Sequence, residues 1–136
     1  TWGEPGTEPG QFACPHNLGV DRHGTVYVCD RENSRVQVFS NEGEFITMWE
    51  GGGRPSDVWM DWENDLVYLA EGRGSLGHPR ISVRDLDGKI VSEFGDEHEG
   101  QKTGLGGAHG IGADSSGNIY SAERGTRTIQ KFARVR

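Results

Sequence analysis

Cysteine, methionine and long apolar runs are all scarce in this chain. Two of its 136 residues are cysteine and two are methionine. Cys14 and Cys29 are too few for a disulfide scaffold and stand in no CxxC or Cys/His finger spacing, so they read as two buried free thiols. No apolar stretch approaches the ~20 residues a helix needs to cross a bilayer, which argues against a membrane partner. Basic charge is also in deficit, with 14 Lys and Arg against 21 Asp and Glu and a formal net charge of -7. Nucleic-acid modules carry a basic stripe that displaces counterions from phosphate, so nucleic acid is not an expected partner. The chain opens at Thr1 with neither an initiator Met nor a signal-like segment, and it reads as an excerpt or a processed product.

Glycine, by contrast, is abundant at 22 residues. It weakens helix interiors and serves tight turns, so a turn-rich all-β fold is expected. At 136 residues and 32% hydrophobic content, the chain has material for one domain with one modest core.

Residues 16–39 lie over 109–132 without a gap. His16 and His109, Asp21 and Asp114, Gly24 and Gly117, Tyr27 and Tyr120, Gln37 and Gln130, and Phe39 and Phe132 coincide. A weaker copy lies between them, with Pro55, Asp61, Tyr68, Glu71, Arg80 and Gly88 answering Pro15, Asp21, Tyr27, Asp30, Arg35 and Gly43. The first copy parses into strands at 18–21, 25–29, 35–39 and 44–49, separated by the turn sequences DRHG, DRENS and SNEG. Four short strands per repeat fit the blade of a β-propeller, in which radial sheets surround a channel. Blades are expected at about 11–50, 54–95 and 105–136, linked through the glycine-rich segments 51–53 and 95–107, with a longer loop at 71–79 inside the second blade. Trp2, Trp49 and Phe94 recur at the ends of fourth strands as inter-blade packing. The third copy ends before its fourth strand, so the last blade is incomplete.

The stretch PHNLGVDRHGTVYVCDRENSRVQVFSNEGEF resembles an NHL repeat, the blade unit of six-bladed propellers. The resemblance implies three four-stranded blades, half of a six-bladed ring. The ring would be completed either by the remainder of a longer protein or by a homodimer of two chains joined head to tail, with Trp2 near the partner's third blade.

The first strand of a blade lines the channel, so a residue just before it points toward the axis. His16 and His109 share that place in alternate blades, with Ser56 between them. Converging imidazoles suit zinc, which takes nitrogen ligands, although histidines here could equally hydrogen-bond neighbouring loops. His23, His78 and His98 fall in turns or loops and read as solvated. Asp30, Glu71 and Glu123 close the second strand of every copy, and that recurrence reads as a structural task, including pairing with Arg35 and Arg80.

PHNL, then VCDRENSRVQVF, then AHGI is similar to the last three blades of the peptidyl-α-hydroxyglycine α-amidating lyase family. That family binds a catalytic zinc through three histidines on alternate blades, and releases a peptide amide and glyoxylate. The resemblance implies that His16 and His109 are two of the three ligands, and that Arg31, directly after Asp30, is a catalytic-site arginine that anchors substrate. It also implies that any activity needs the missing blades or a second chain, and it leans toward a secreted or periplasmic setting. The residues themselves leave open a turn role for Arg31, paired with Glu32, and Arg124 holds the equivalent place in the third blade. The family's structural calcium uses an acidic side chain just after the last zinc histidine, where this chain has Gly110, so calcium is not expected. Its disulfide cysteines do not coincide with Cys14 or Cys29. Competing with the lyase-like reading is a non-catalytic propeller that binds a protein or small peptide ligand. A smaller competitor is a calcium-dependent lactonase-like propeller, for which Asn17 and Asp57 would be the axial residues.

Overall fold

The computed structural model describes residues 1–74, 77–95 and 107–135. Thirteen strands run in order: β1 (Glu4–Pro5), β2 (Gln11–Phe12), β3 (Pro15–Val20), β4 (Val26–Asp30), β5 (Arg35–Phe39), β6 (Phe45–Trp49), β7 (Arg54–Asp61), β8 (Leu66–Gly72), β9 (Arg80–Asp85), β10 (Ile90–Phe94), β11 (Ala108–Ala113), β12 (Ile119–Glu123) and β13 (Thr128–Phe132). Three antiparallel meanders result: β3-β4-β5-β6, β7-β8-β9-β10 and β11-β12-β13. The fold is therefore all-β, with two four-stranded blades and a third blade of three strands among the described residues. The innermost strand β7 packs on β3 to one side and on β11 to the other, which sets the three blades around a common axis.

Alternation along the strands fills the spaces between blades. Tyr27 and Cys29 point toward the second blade, where they join Val36, Val38, Trp49, Val58, Val67 and Leu69 in one core. Ala70 and Ile81 meet Ala108 and Ile119 between the second and third blades, flanked by Trp59, Tyr68, Phe94 and Phe132. Gly19 allows the inner strands to approach closely, since a Cβ there would fall 2.9 Å from Met60 Cγ. Trp49 is buried against Tyr27 with ring centres 5.3 Å apart. Phe94 meets Phe132 at 4.9 Å, so the recurring fourth-strand aromatics do pack between elements.

Several expectations shift. The first strand begins at Pro15 rather than at 18, so His16 lies within β3 and not ahead of it. The N-terminal segment forms a short parallel pair, β1 with β2, that the repeat pattern does not contain. It covers the outer face of the first blade, where Trp2 and Phe12 stack on Phe39 at 6.0 Å and 5.8 Å. Cys29 is fully buried, and burial pushes its thiol pKa up, with Asp57 and Glu71 adding to the shift, which makes it an inert core residue. Cys14 is only partly buried, a departure from the expected pair of buried thiols. Of the 95–107 connection, residues 96–106 lie outside the described residues, as do His98 and residues 75 and 76 of the second-blade loop.

The carboxylates closing each second strand are buried. Asp30 Oδ1 accepts the backbone N–H groups of Ala13 and Cys14 at 3.0 Å and 3.2 Å. Its Oδ2 accepts Arg35 Nε at 2.9 Å. Arg35 also donates to the carbonyls of Thr7, Glu8 and Gln11, pinning the N-terminal segment. Glu71 repeats the arrangement with Gly53 N–H at 3.1 Å and Arg80 Nε at 2.8 Å, and adds Arg84 at 3.3 Å. In the third blade Thr128 stands where the arginine would be. Glu123 accepts from Ser121 Oγ, and its Oε2 has no partner among the described residues. Removing one member of a buried ion pair strands the other charge in a poor solvent. Arg35→Met should therefore destabilise the chain by about 3–5 kcal/mol in urea unfolding, whereas Ile129→Ala on the exposed face of β13 should change it by less than about 0.5 kcal/mol. Equal effects of the two substitutions would contradict this account of the Asp30 pair.

Candidate metal and anion site at the channel mouth

All three inner strands carry a register shift at the same place. The irregularity falls between Pro15 and Asn17 in β3, between Pro55 and Asp57 in β7, and between Ala108 and Gly110 in β11. The extra residue is His16, Ser56 and His109 respectively. A bulge turns its extra side chain out of the regular pleat, and here it brings those three residues together. The His16 and His109 rings stand edge to face with centres 4.8 Å apart, and Ser56 lies between the two histidine-bearing strands.

His16 Nδ1 lies 2.6 Å from the Ser56 carbonyl oxygen. A carbonyl can only accept, so Nδ1 carries a proton, which leaves Nε2 as the nitrogen facing away from this bond. The His109 pKa is lowered, first by burial and then by the neighbouring His16, Arg31 and Arg124, with Asp57 opposing. Each of the lowering influences disfavours the imidazolium, so the ring is held in the neutral form that a metal requires.

Arg31 opens a short 3₁₀ turn, Arg31–Asn33, that follows β4, and Ser34 ends that turn in the left-handed region at φ 52°. Its Nε donates to Ser56 Oγ at 3.3 Å, and its Nη1 pairs with Glu32. The guanidinium thus pairs with its turn neighbour and also bonds a side chain of the second blade. Arg54 shares the same Glu32 carboxylate. Arg31, Arg54, Ser56, Arg73, His109 and Arg124 line one cavity of about 320 Å³.

Asp57 ties the three blades together just below the histidines. Its carboxylate accepts from Asn17 Nδ2 in the first blade and from the Ile111 backbone N–H at 2.8 Å in the third. Asp57 thereby holds the Asn17 side chain next to His16 and the backbone two residues past His109. Sequence reasoning placed Asn17 and Asp57 near the axis but missed this bridge. It also missed Arg54 and Arg73. Arg73 was hidden because Gly72 occupies the position after Glu71 and moves the arginine one residue along.

His109 binds protons less readily in the fold than in the unfolded chain. The unfolded state therefore takes up more protons as pH falls, and stability declines from the ordinary histidine pKa near 6.5 downward until the folded pKa is passed. A proton NMR titration should place the His109 midpoint below 6.5, and His109→Gln should flatten the fall in stability over that window. A His109 midpoint at or above 6.5 would exclude the packed arrangement.

A family model described as NHL repeat matches residues 12–39. NHL repeat-containing protein 3 of Mus musculus is 30% identical over 140 residues, covering 96% of this chain and 38% of that protein. The chain thus spans well under half the length of this relative. Peptidyl-glycine alpha-amidating monooxygenase of Mus musculus is 25% identical over 142 residues, covering 96% of the chain and 14% of the enzyme. Among solved structures, virginiamycin B lyase from Staphylococcus aureus superposes with a TM-score of 0.62 over 90% of this chain and 42% of its own, at 13% identity, a likeness of fold alone. The repeat match, the relatives and the three radial meanders agree: the chain is a three-blade stretch of NHL-repeat β-propeller, homologous to NHL repeat-containing protein 3 and to the peptidylglycine alpha-amidating monooxygenases.

Proposed function

We propose that this propeller stretch contributes two nitrogen ligands, His16 and His109, to a zinc site at the channel mouth, with lyase-like chemistry as in the amidating relatives. The observation that carries the proposal is the ring pair. Two imidazoles on one zinc, each with Zn–N about 2.0 Å, have centres roughly 5 Å apart, and the separation here is 4.8 Å. The Ser56 carbonyl on Nδ1 gives His16 the outer-shell support that metal-bound histidines commonly have, and leaves Nε2 to bind. Among the described residues no cluster of three or more His, Cys, Asp or Glu gathers for a metal, and the two imidazoles are the nitrogen donors that meet there. Zinc, when bound, would supply Lewis-acid activation of a substrate hydroxyl or of water. Arg31, held by Ser56, would anchor the anionic end of the substrate. Zinc titration tests the site. Wild-type protein should bind zinc at least about tenfold more tightly than His16→Ala/His109→Ala, and equal affinities would remove the metal reading while leaving the fold untouched.

A second reading, a propeller that binds a protein or a second copy of itself, rests on the outer face of the first blade. Trp2 and Leu18, 44% and 54% exposed, line an apolar hollow there with Phe12, Pro15 and Val28. Exposed apolar surface of this kind favours association, and a head-to-tail pair would set one chain's third blade against it. Light scattering at high micromolar concentration should then report a dimer, which Leu18→Glu disrupts. A monodisperse monomer throughout would rule out the pairing.

A further inference from the structure

The channel-mouth cavity holds more positive charge than one carboxylate neutralises. Arginines reach it from every blade: Arg31 just past β4, Arg54 at the start of β7, Arg73 just past β8 and Arg124 just past β12. Apart from Ser56 and His109, the rest of its lining among the described residues is glycine and one alanine, which leaves the guanidinium groups open on that side. Glu32 is shared between Arg31 and Arg54. Arg124 has no acidic partner among the described residues, although its charge is felt at His109. Even with Arg73 left aside, three guanidinium groups against one shared carboxylate leave two positive charges at the cavity. They gather on a chain whose formal net charge is -7, and a concave wall of one sign focuses its field on whatever enters.

We propose that this cavity binds a compact dianion of the phosphate-monoester type, held by Arg31, Arg54 and Arg124. The charge of such a group matches the surplus. Its geometry matches too, because a carboxylate offers two oxygens in one plane, whereas a phosphoryl group offers three in different directions to donors arriving from three blades. This deepens the reading above by giving the anionic end of the ligand two charges. It does not require the metal.

The test uses zinc-free purified protein, with inorganic phosphate and acetate titrated by calorimetry at fixed ionic strength and pH 7.5. Phosphate should bind at least about tenfold more tightly than acetate. Arg124→Gln and Arg54→Gln, both at solvent-accessible positions, should each weaken phosphate about tenfold. Equal binding of the two anions, or phosphate affinity indifferent to both substitutions, would overturn the site. So would a short single-stranded RNA that displaces phosphate and binds more tightly, since the arginines would then serve a nucleic acid. Loss of zinc binding in His16→Ala/His109→Ala with phosphate binding retained would support the anion site as independent of the metal. A wild-type protein that takes phosphate but no zinc would remove the metal reading and leave this one standing.

Discussion

Each blade is organised by a bulge set opposite a buried carboxylate. Pro15 pairs with Asp30, Pro55 with Glu71 and Ala108 with Glu123, and the register slips immediately afterwards at His16, Ser56 and His109. In the first two blades the carboxylate gathers N–H groups of the loop entering the inner strand, so the chain is clamped on one side of the slip. Ordinary antiparallel pairing resumes on the other side. The residue between has no cross-strand partner, and its side chain is delivered to the axis. Without the clamp the inner strand could slide by one residue, which would exchange its two faces and remove the histidines from the channel.

The same carboxylates account for the uneven polarity of the interior. Arg35 satisfies Asp30 and also three carbonyls of the N-terminal segment, so one buried cation closes the sheet and fastens its outer cover. Glu71 is shared between Arg80 and Arg84. The third blade keeps the carboxylate and loses the arginine, and the cost is an unsatisfied buried oxygen on Glu123. Arg31, Arg54, Arg73 and Arg124 gather instead around the cavity at the channel mouth, beside His109.

Much of this was legible in the sequence, because the repeat is written in residue types that have few other uses at such spacing. Recurrence of Asp21, Gly24 and Tyr27 at Asp114, Gly117 and Tyr120 marked the same turn twice. In both copies the tyrosine hydroxyl does reach the turn aspartate, at 3.1 Å and 3.0 Å. The alternation of 35–39 and the turn at 31–34 placed β5 correctly. The bulges were not legible, since nothing in PHN, PSD or AHG distinguishes a residue that slips from one that pairs; only the strand opposite reveals it. For that reason His16 was expected ahead of the first strand rather than inside it. The axial bridge through Asp57 depends on three blades meeting, which no single repeat encodes. The parallel pair of the N-terminal segment likewise arises from contacts with Arg35 and Gln37 in a neighbouring element.

Two sets of side chains meet at the channel mouth: imidazoles from alternate blades, and guanidinium groups from all three. Their meeting depends on the bulges being formed before any ligand binds, because Ser56 and Asp57 already hold His16 and the backbone two residues past His109. The most direct check is the proximity of the two rings in metal-free protein, measured as a nuclear Overhauser effect between the imidazole protons of His16 and His109. Edge-to-face rings with centres 4.8 Å apart should give a clear cross-peak between them. The absence of that cross-peak, with both rings ordered and showing contacts within their own blades, would contradict the arrangement on which the site rests.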